Sequence, residues 1–109
     1  MLQKKYRLPA FQKLFSGSSF SSPYFFLRVA KNSLGYNRFG FVIGKKTENR
    51  ATARNRIRRV FRSCVEEMRE EMKQGLDFLF VLKSNILELE RKELYNELYK
   101  YLSEKNLLK

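Results

Sequence analysis

The sequence predicts an α+β domain, a two-layer sandwich of a three- to four-stranded mixed sheet and three helices. Two stretches, Tyr24–Lys31 (YFFLRVAK) and Arg38–Lys45 (RFGFVIGK), alternate in the period of a half-buried strand. A third, Leu76–Lys83 (LDFLFVLK), is almost continuously apolar, which predicts a central strand buried on both faces. Between the second and third, Ile57, Val60, Phe61, Cys64, Val65, Met68 and Met72 recur at helical spacing. Strand, helix, strand in that order implies a parallel pair joined by a crossover helix. With 109 residues and no internal repeat, the chain (residues 1–109) reads as one domain.

Taken in order, Lys4, Lys5 and Arg7 form a basic arm. Pro9 suits the first turn of a helix, where its missing N–H is no loss, and Gly17 suits the end of one. A short helix over Pro9–Ser16 places Phe11, Leu14 and Phe15 on one side, and from pattern alone Phe11 and Phe15 read as core as readily as a binding surface. Ser16–Ser22 is either a loop or a short edge strand, and Pro23 fits the start of a strand or an edge.

Alternation in the first strand turns Phe25, Leu27 and Val29 inward. Tyr24, Phe26 and Arg28 then share the other face, a composition that stacks on bases and grips phosphates, or else an ordinary half-exposed surface. In the second strand Phe39, Phe41 and Ile43 point inward. Gly40 and Gly44 point outward, leaving that side open to a close ligand backbone. The long helix is predicted over Ala53–Lys73, with Gly75 as its terminator and a solvated second half of mixed charge. Asp77 reads as a turn or capping residue at a strand start. The last helix begins at Asn85 or Glu88, with Leu87, Leu94, Leu98, Tyr101 and Leu102 as its apolar stripe.

Charge divides the chain in two. The whole carries +12, but residues 1–62 hold 15 lysines and arginines against Glu48 alone, a net of +14. Residues 63–109 hold 8 against 10 acids, a net of −2. The densest run is KKTENRATARNRIRRVFR, Lys45 to Arg62, where arginines crowd the first two turns of the long helix. Positive charge there opposes the helix dipole, so helix stability does not account for it, whereas a docked polyanion does. Arginine dominance favours nucleic acid, because the guanidinium makes bidentate phosphate contacts and stacks on bases.

The inventory for catalysis is poor. There is no histidine, no CxxC pair, no glycine-rich phosphate loop and no metal-spaced acid cluster, so neither catalytic nor metal-ligating residues are expected. The single Cys64 falls on the apolar side of the helix, a small buried hydrophobe suited to a reducing cytoplasm. No run of about 18 apolar residues suggests a membrane span, and no apolar signal segment opens the chain.

Arg38-x-Gly40, Val42–Lys46 and then Ala53-Arg54-Asn55-Arg56-Ile57-Arg58-Arg59 together resemble the signature of the bacterial ribonuclease P protein component. Flanking pieces agree: Arg7-Leu8 with Phe11-x-x-x-Phe15-x-Gly17 is similar to the family's first helix, and Gly75–Lys83 to its last strand. The resemblance implies a fold like the second domain of a small-subunit ribosomal protein, with a left-handed strand–helix–strand crossover where general topology rules favour the right-handed one. It implies a non-catalytic subunit of a cytoplasmic ribonucleoprotein that removes the 5′ leader of precursor tRNA. Its partners would be ribonuclease P RNA and precursor tRNA, with no membrane and no small-molecule substrate. Magnesium would be held mainly by the RNA, and none by the protein.

Carried over by position, the RNA-binding set is Lys45, Lys46, Arg50, Arg54, Asn55, Arg56, Arg58, Arg59 and Arg62. The leader-binding cleft is Phe11, Phe15, Tyr24, Phe26 and Arg28. Arg28 stands where relatives commonly carry an aromatic, which shifts the expectation there from stacking to a phosphate contact. Arg58-Arg59 keeps the charge of the usual Lys-Arg, and the Thr47–Ala53 linker lacks the glycine and apolar residues of many relatives. Three other readings fit parts of the pattern: a structural RNA-binding protein of the ribosome or translation machinery, a self-sufficient nuclease, and a DNA-binding protein.

Overall fold

The computed structural model describes residues 4–8, 17–44 and 48–109. The predicted helix over Pro9–Ser16, with Phe11 and Phe15, lies outside the described residues, as do Lys45 and Lys46. Within them the order is a 3-10 turn (Lys4–Tyr6), β1 (Ser18–Ser21), β2 (Phe25–Lys31), β3 (Arg38–Val42), α1 (Ala51–Met68), β4 (Leu76–Leu82) and α2 (Arg91–Glu104). Two α-helices are therefore seen among the described residues, where the sequence predicts three over the whole chain. Short 3-10 turns follow α1 and precede α2.

The four strands lie in the order β1-β2-β4-β3. β1–β2 and β2–β4 are antiparallel and β3–β4 is parallel, so the expected mixed sheet with α1 as crossover is what forms. β1 can approach β2 because it is entered through Gly17, where a Cβ would meet the Val29 carbonyl oxygen at 2.2 Å. β4 is entered through Gly75, whose φ of +79° is a left-handed conformation that costs glycine little.

Both helices pack on one face of the sheet. Phe25, Leu27, Val29, Phe39, Phe78, Phe80 and Leu82 point into that layer and meet Ile57, Phe61, Cys64, Val65 and Met68 of α1 and Leu94, Leu98, Tyr101 and Leu102 of α2. Phe61 is the centre, with ring centroids 5.7 Å from Phe25, 4.9 Å from Phe80 and 5.7 Å from Phe41. Each such buried phenyl or leucyl group contributes roughly 1.5–3 kcal/mol of transfer free energy. Burial pushes the Cys64 thiol up from its ordinary range, in keeping with a core role.

Several expectations are corrected. The long helix starts at Ala51 and ends at Met68, where a 3-10 turn over Arg69–Glu71 brings Met72 into the core in extended backbone. β4 is not buried on both faces throughout: on the side away from α1 and α2 Asp77 is buried, but Leu79 is half-buried and Val81 exposed, and among the described residues no helix covers that side. α2 begins at Arg91, set by a reciprocal capping box in which the Glu90 and Glu93 side chains each accept from the other's backbone N–H. Leu87 falls in the preceding 3-10 turn, Ser84–Glu88, and is exposed rather than part of the helix stripe. Asp77 is no exposed cap. Its carboxylate is buried, accepts from Arg38 Nε at 2.9 Å and Nη2 at 2.7 Å, and also takes the Asn32 side-chain amide at 2.9 Å. That bond to Asp77, first among its causes, raises the Arg38 guanidinium pKa further.

Candidate nucleic-acid interface

The sheet face opposite the helices forms the first half of the site. Register sets its rows: Ser21, Phe26, Val81 and Val42 align across β1, β2, β4 and β3, and Ser19, Arg28, Leu79 and Gly40 align in the next. Phe26 is 50% exposed, Val42 46% and Val81 36%, an apolar strip on an otherwise charged protein. Lys83 closes one end of it. Its ammonium sits 4.7 Å from the Phe26 ring centroid and donates to the Ser22 carbonyl at 2.6 Å and to Ser21 Oγ at 3.3 Å. Arg28 is half-buried in the second row, and its Nε is shielded from solvent with no acceptor among the described residues. A shielded donor without an acceptor is costly, and a phosphate oxygen would supply one.

The N-terminal segment frames the other end. Arg7 bridges in parallel to Phe39 and the Leu8 N–H donates to the Phe39 carbonyl at 2.8 Å. The Leu8 side chain then lies over Gly40, where a Cβ would meet it at 3.2 Å. Gly40 is therefore roofed by Leu8 and is not open to a ligand backbone as its sequence position suggested. Gly44 has open space around it but lies past the end of β3. Tyr24 also departs from expectation. It precedes β2 and lines, with Pro23 and the α2 residues Glu97, Lys100 and Tyr101, a cleft at the end of the sandwich. Phe26 and Arg28 are brought together; Tyr24 is not with them.

The second half of the site is α1. Its first turn holds no acid and no side chain caps it. Glu48, buried just upstream, takes Arg50 through Nε at 3.0 Å and Nη2 at 2.7 Å, and its carbonyl takes Arg54 Nη1 at 2.8 Å. The hydrogen bond from Arg50 holds the Glu48 carboxyl below the usual glutamate range, against the opposing effect of desolvation. The one acid of the basic half therefore orders two of its arginines. Arg54, Arg58 and Arg62 follow at four-residue spacing on one flank, and Asn55, Arg58, Arg59, Arg62 and Ser63 line a shallow groove there. Arg58 donates to Asn55 Oδ1, and Arg62 lies 5.7 Å from the Phe41 ring, which ties that flank to β3. Arg56 is on the opposite flank. With Arg50 it borders a cleft of about 480 Å³ between α1 and the turn around Leu87, so the arginine-rich run is split over two sides of the helix.

Lys83, Val42 and Val81 join the candidate surface without having been singled out from sequence. Alternation along Leu76–Lys83 contains the signal, since Val81 and Lys83 share a parity, but an almost continuous apolar run conceals which parity faces outward. Among the described residues no group of His, Cys, Asp or Glu is arranged to hold a metal, and no helix is long and apolar enough to cross a membrane.

Both sequence and fold are similar to those of known proteins. The ribonuclease P family model matches residues 2–106. The chain is 33% identical over 108 residues to the ribonuclease P protein component of Natranaerobius thermophilus, an alignment covering 98% of this chain and 90% of that one. Its fold is similar to that of a Staphylococcus aureus RNase P protein mutant, with a TM-score of 0.84 at 21% identity over 95% of this chain and 91% of the other. It is also similar to the Thermotoga maritima RNase P protein solved with 1-(4-fluorophenyl)-2-thiourea, with a TM-score of 0.72 at 25% identity over 80% and 84%.

Proposed function

The chain belongs to the ribonuclease P protein component family, and from that premise we propose that it is a non-catalytic subunit acting through two separate surfaces. Family membership puts it in tRNA processing as part of a ribonucleoprotein. In our reading the arginine flank of α1 holds the catalytic ribonuclease P RNA, while the open sheet face holds the 5′ leader of precursor tRNA. Leader sequences vary, so the holding surface needs stacking platforms and backbone charge rather than base readout. Phe26, exposed between Lys83 and Arg28, is the observation that carries this assignment. It offers a ring to a base, with a cation at each side for the flanking phosphates.

The RNA flank has the other composition. Arg58, Arg59 and Arg62 with Asn55 offer donors and no aromatic face, which suits a structured RNA backbone. Flank and face meet along β3, where Arg62 packs on Phe41 and Val42 ends the apolar row. An RNA bound to α1 therefore delivers its substrate's leader to the strip without spanning the protein. Magnesium chemistry belongs to the RNA in this reading. The protein's part is to neutralise phosphates where leader and RNA crowd together, which lowers the magnesium concentration the pair requires.

The test is cleavage of a precursor tRNA by ribonuclease P RNA at low magnesium, with and without this protein. Restored 5′ leader removal, with no cutting by the protein alone, is expected. Tight RNA binding without rescue would instead favour a structural RNA-binding role, and magnesium titrations that superimpose with and without protein would refute the neutralisation argument.

A further inference from the structure

A second cationic cluster lies at the opposite end of α1, away from both surfaces assigned to RNA and leader. Here the N-terminal turn, the β2–β3 connection, the 3-10 turn after α1 and the C-terminus converge. Tyr6 and Tyr36 stand edge to face, centroids 5.5 Å apart at 89°. Arg69 lies 4.5 Å from the Tyr6 centroid, and the Lys5 ammonium is 4.9 Å from Tyr6 and 5.1 Å from Tyr36. A cavity of about 290 Å³ is bordered by both tyrosines, with Arg69, Glu70 and Lys109 among its walls.

We propose that this corner is a second RNA contact, a site for one unpaired nucleotide of the RNA partner, its base against the tyrosines and its phosphate on Arg69, Lys5 and Lys109. The proposal rests on the reading of α1 as an RNA-binding helix. Three features argue for it. First, cations are in excess: among the described residues no carboxylate forms an ion pair with Lys5, Arg69 or Lys109, and the exposed Lys4 and Lys73 add to the field. Against these five stand Glu70 and the carboxylate at the end of Lys109 in the cavity wall, and Glu71, which takes the Tyr99 hydroxyl through its carboxylate and the Lys109 N–H through its carbonyl. A local excess of positive charge favours a bound anion.

Second, the neutral polar groups there are already used. Asn37 donates to the Lys73 carbonyl and accepts from the Leu76 N–H, and the Gln74 amide donates to the Met72 carbonyl. What remains on offer is aromatic surface and cation, the pairing that binds single-stranded nucleic acid, in a cavity at the small end of ligand sites. Third, Arg54, Arg58 and Arg62 fall within about 80° of one another at 100° per residue. Arg69 opens the 3-10 turn directly after the last residue of α1, at the far end of the same helix. Arg62 and Arg69 are each laid along it by an aromatic neighbour, Phe41 and Tyr6. One RNA can therefore be held at both ends of the helix.

The experiment measures affinity for ribonuclease P RNA across a salt series, with RNA footprinting on the same complexes. The double variant Arg69→Gln with Lys109→Gln is expected to flatten the slope of log K against log salt by about 0.7–0.9, the contribution of the one phosphate no longer neutralised. Tyr36→Leu is expected to weaken binding several-fold with the slope unchanged, and thermal melts verify that each variant is folded. The RNA protection that disappears in the double variant should lie apart from that which disappears in Arg58→Gln. An unchanged slope and footprint in the double variant, with a flattened slope and lost protection in Arg58→Gln, would show that the cluster only pins the N-terminal turn and overturn this proposal alone. Full binding in both Arg58→Gln and the double variant would overturn both readings.

Discussion

Phe26 and Phe61 are the same side chain put to opposite uses. Phe61 is fully buried and touches Phe25, Phe41 and Phe80, so Phe61→Ala should cost about 3–5 kcal/mol of stability in denaturant unfolding. Phe26 is half exposed, so Phe26→Ala should leave the unfolding midpoint almost unmoved. It should weaken binding of a precursor tRNA leader by about 1–3 kcal/mol in a holoenzyme titration, the worth of one base stacked on an aromatic. Periodicity sufficed to tell these residues apart: alternation in β2 turns Phe26 outward, and helical spacing in α1 turns Phe61 inward. It did not place Tyr24, which lies before the first ladder pair of β2 and is turned by Ser22, whose hydroxyl accepts from the Tyr24 and Phe25 N–H groups. Asp77 was misread for another reason: its partners Arg38 and Asn32 are distant in sequence, and no local pattern announces a buried ion pair.

α1 was the most legible element, since its apolar stripe repeats over several turns and its termini moved by only a few residues. Which arginines share a side was less so. The run reads as one patch, but a helix distributes successive residues around its axis, so Arg56 and Arg58 part company. Its start also carries a pH dependence. The folded pKa of Glu48 lies below its unfolded value, so the stabilisation is fully present above the ordinary glutamate range and is lost as pH falls through the folded value. Amide exchange at the N-terminal turn of α1, near Arg54, should therefore quicken, relative to a core amide of α1, as the solution is acidified below that range. In Glu48→Gln the turn should exchange faster already at neutral pH, with that acid dependence gone. Equal pH profiles in the two proteins would contradict the role given to Glu48.

The charge asymmetry becomes a thermodynamic statement about the assembled protein. If RNA and leader together engage six or more phosphates, affinity for precursor tRNA with its RNA should fall with a log–log salt slope of about −4 or steeper. A slope near −1 would leave most of the basic half as solvated surface. Sequence order also hides how the binding face is made. β2 and β3 are consecutive in the chain, yet β4 lies between them, so the row Ser21, Phe26, Val81, Val42 exists only once residues 76–82 have inserted. Such non-local pairing is slow relative to helix formation. The basic residues of α1 are available as soon as that helix turns, whereas the strip around Phe26 is completed by a late docking event. On the proposed assignment of the two surfaces, folding has a built-in order: affinity for polyanion precedes the ability to seat a single strand, and a partly folded chain would hold RNA before it could present a substrate to it.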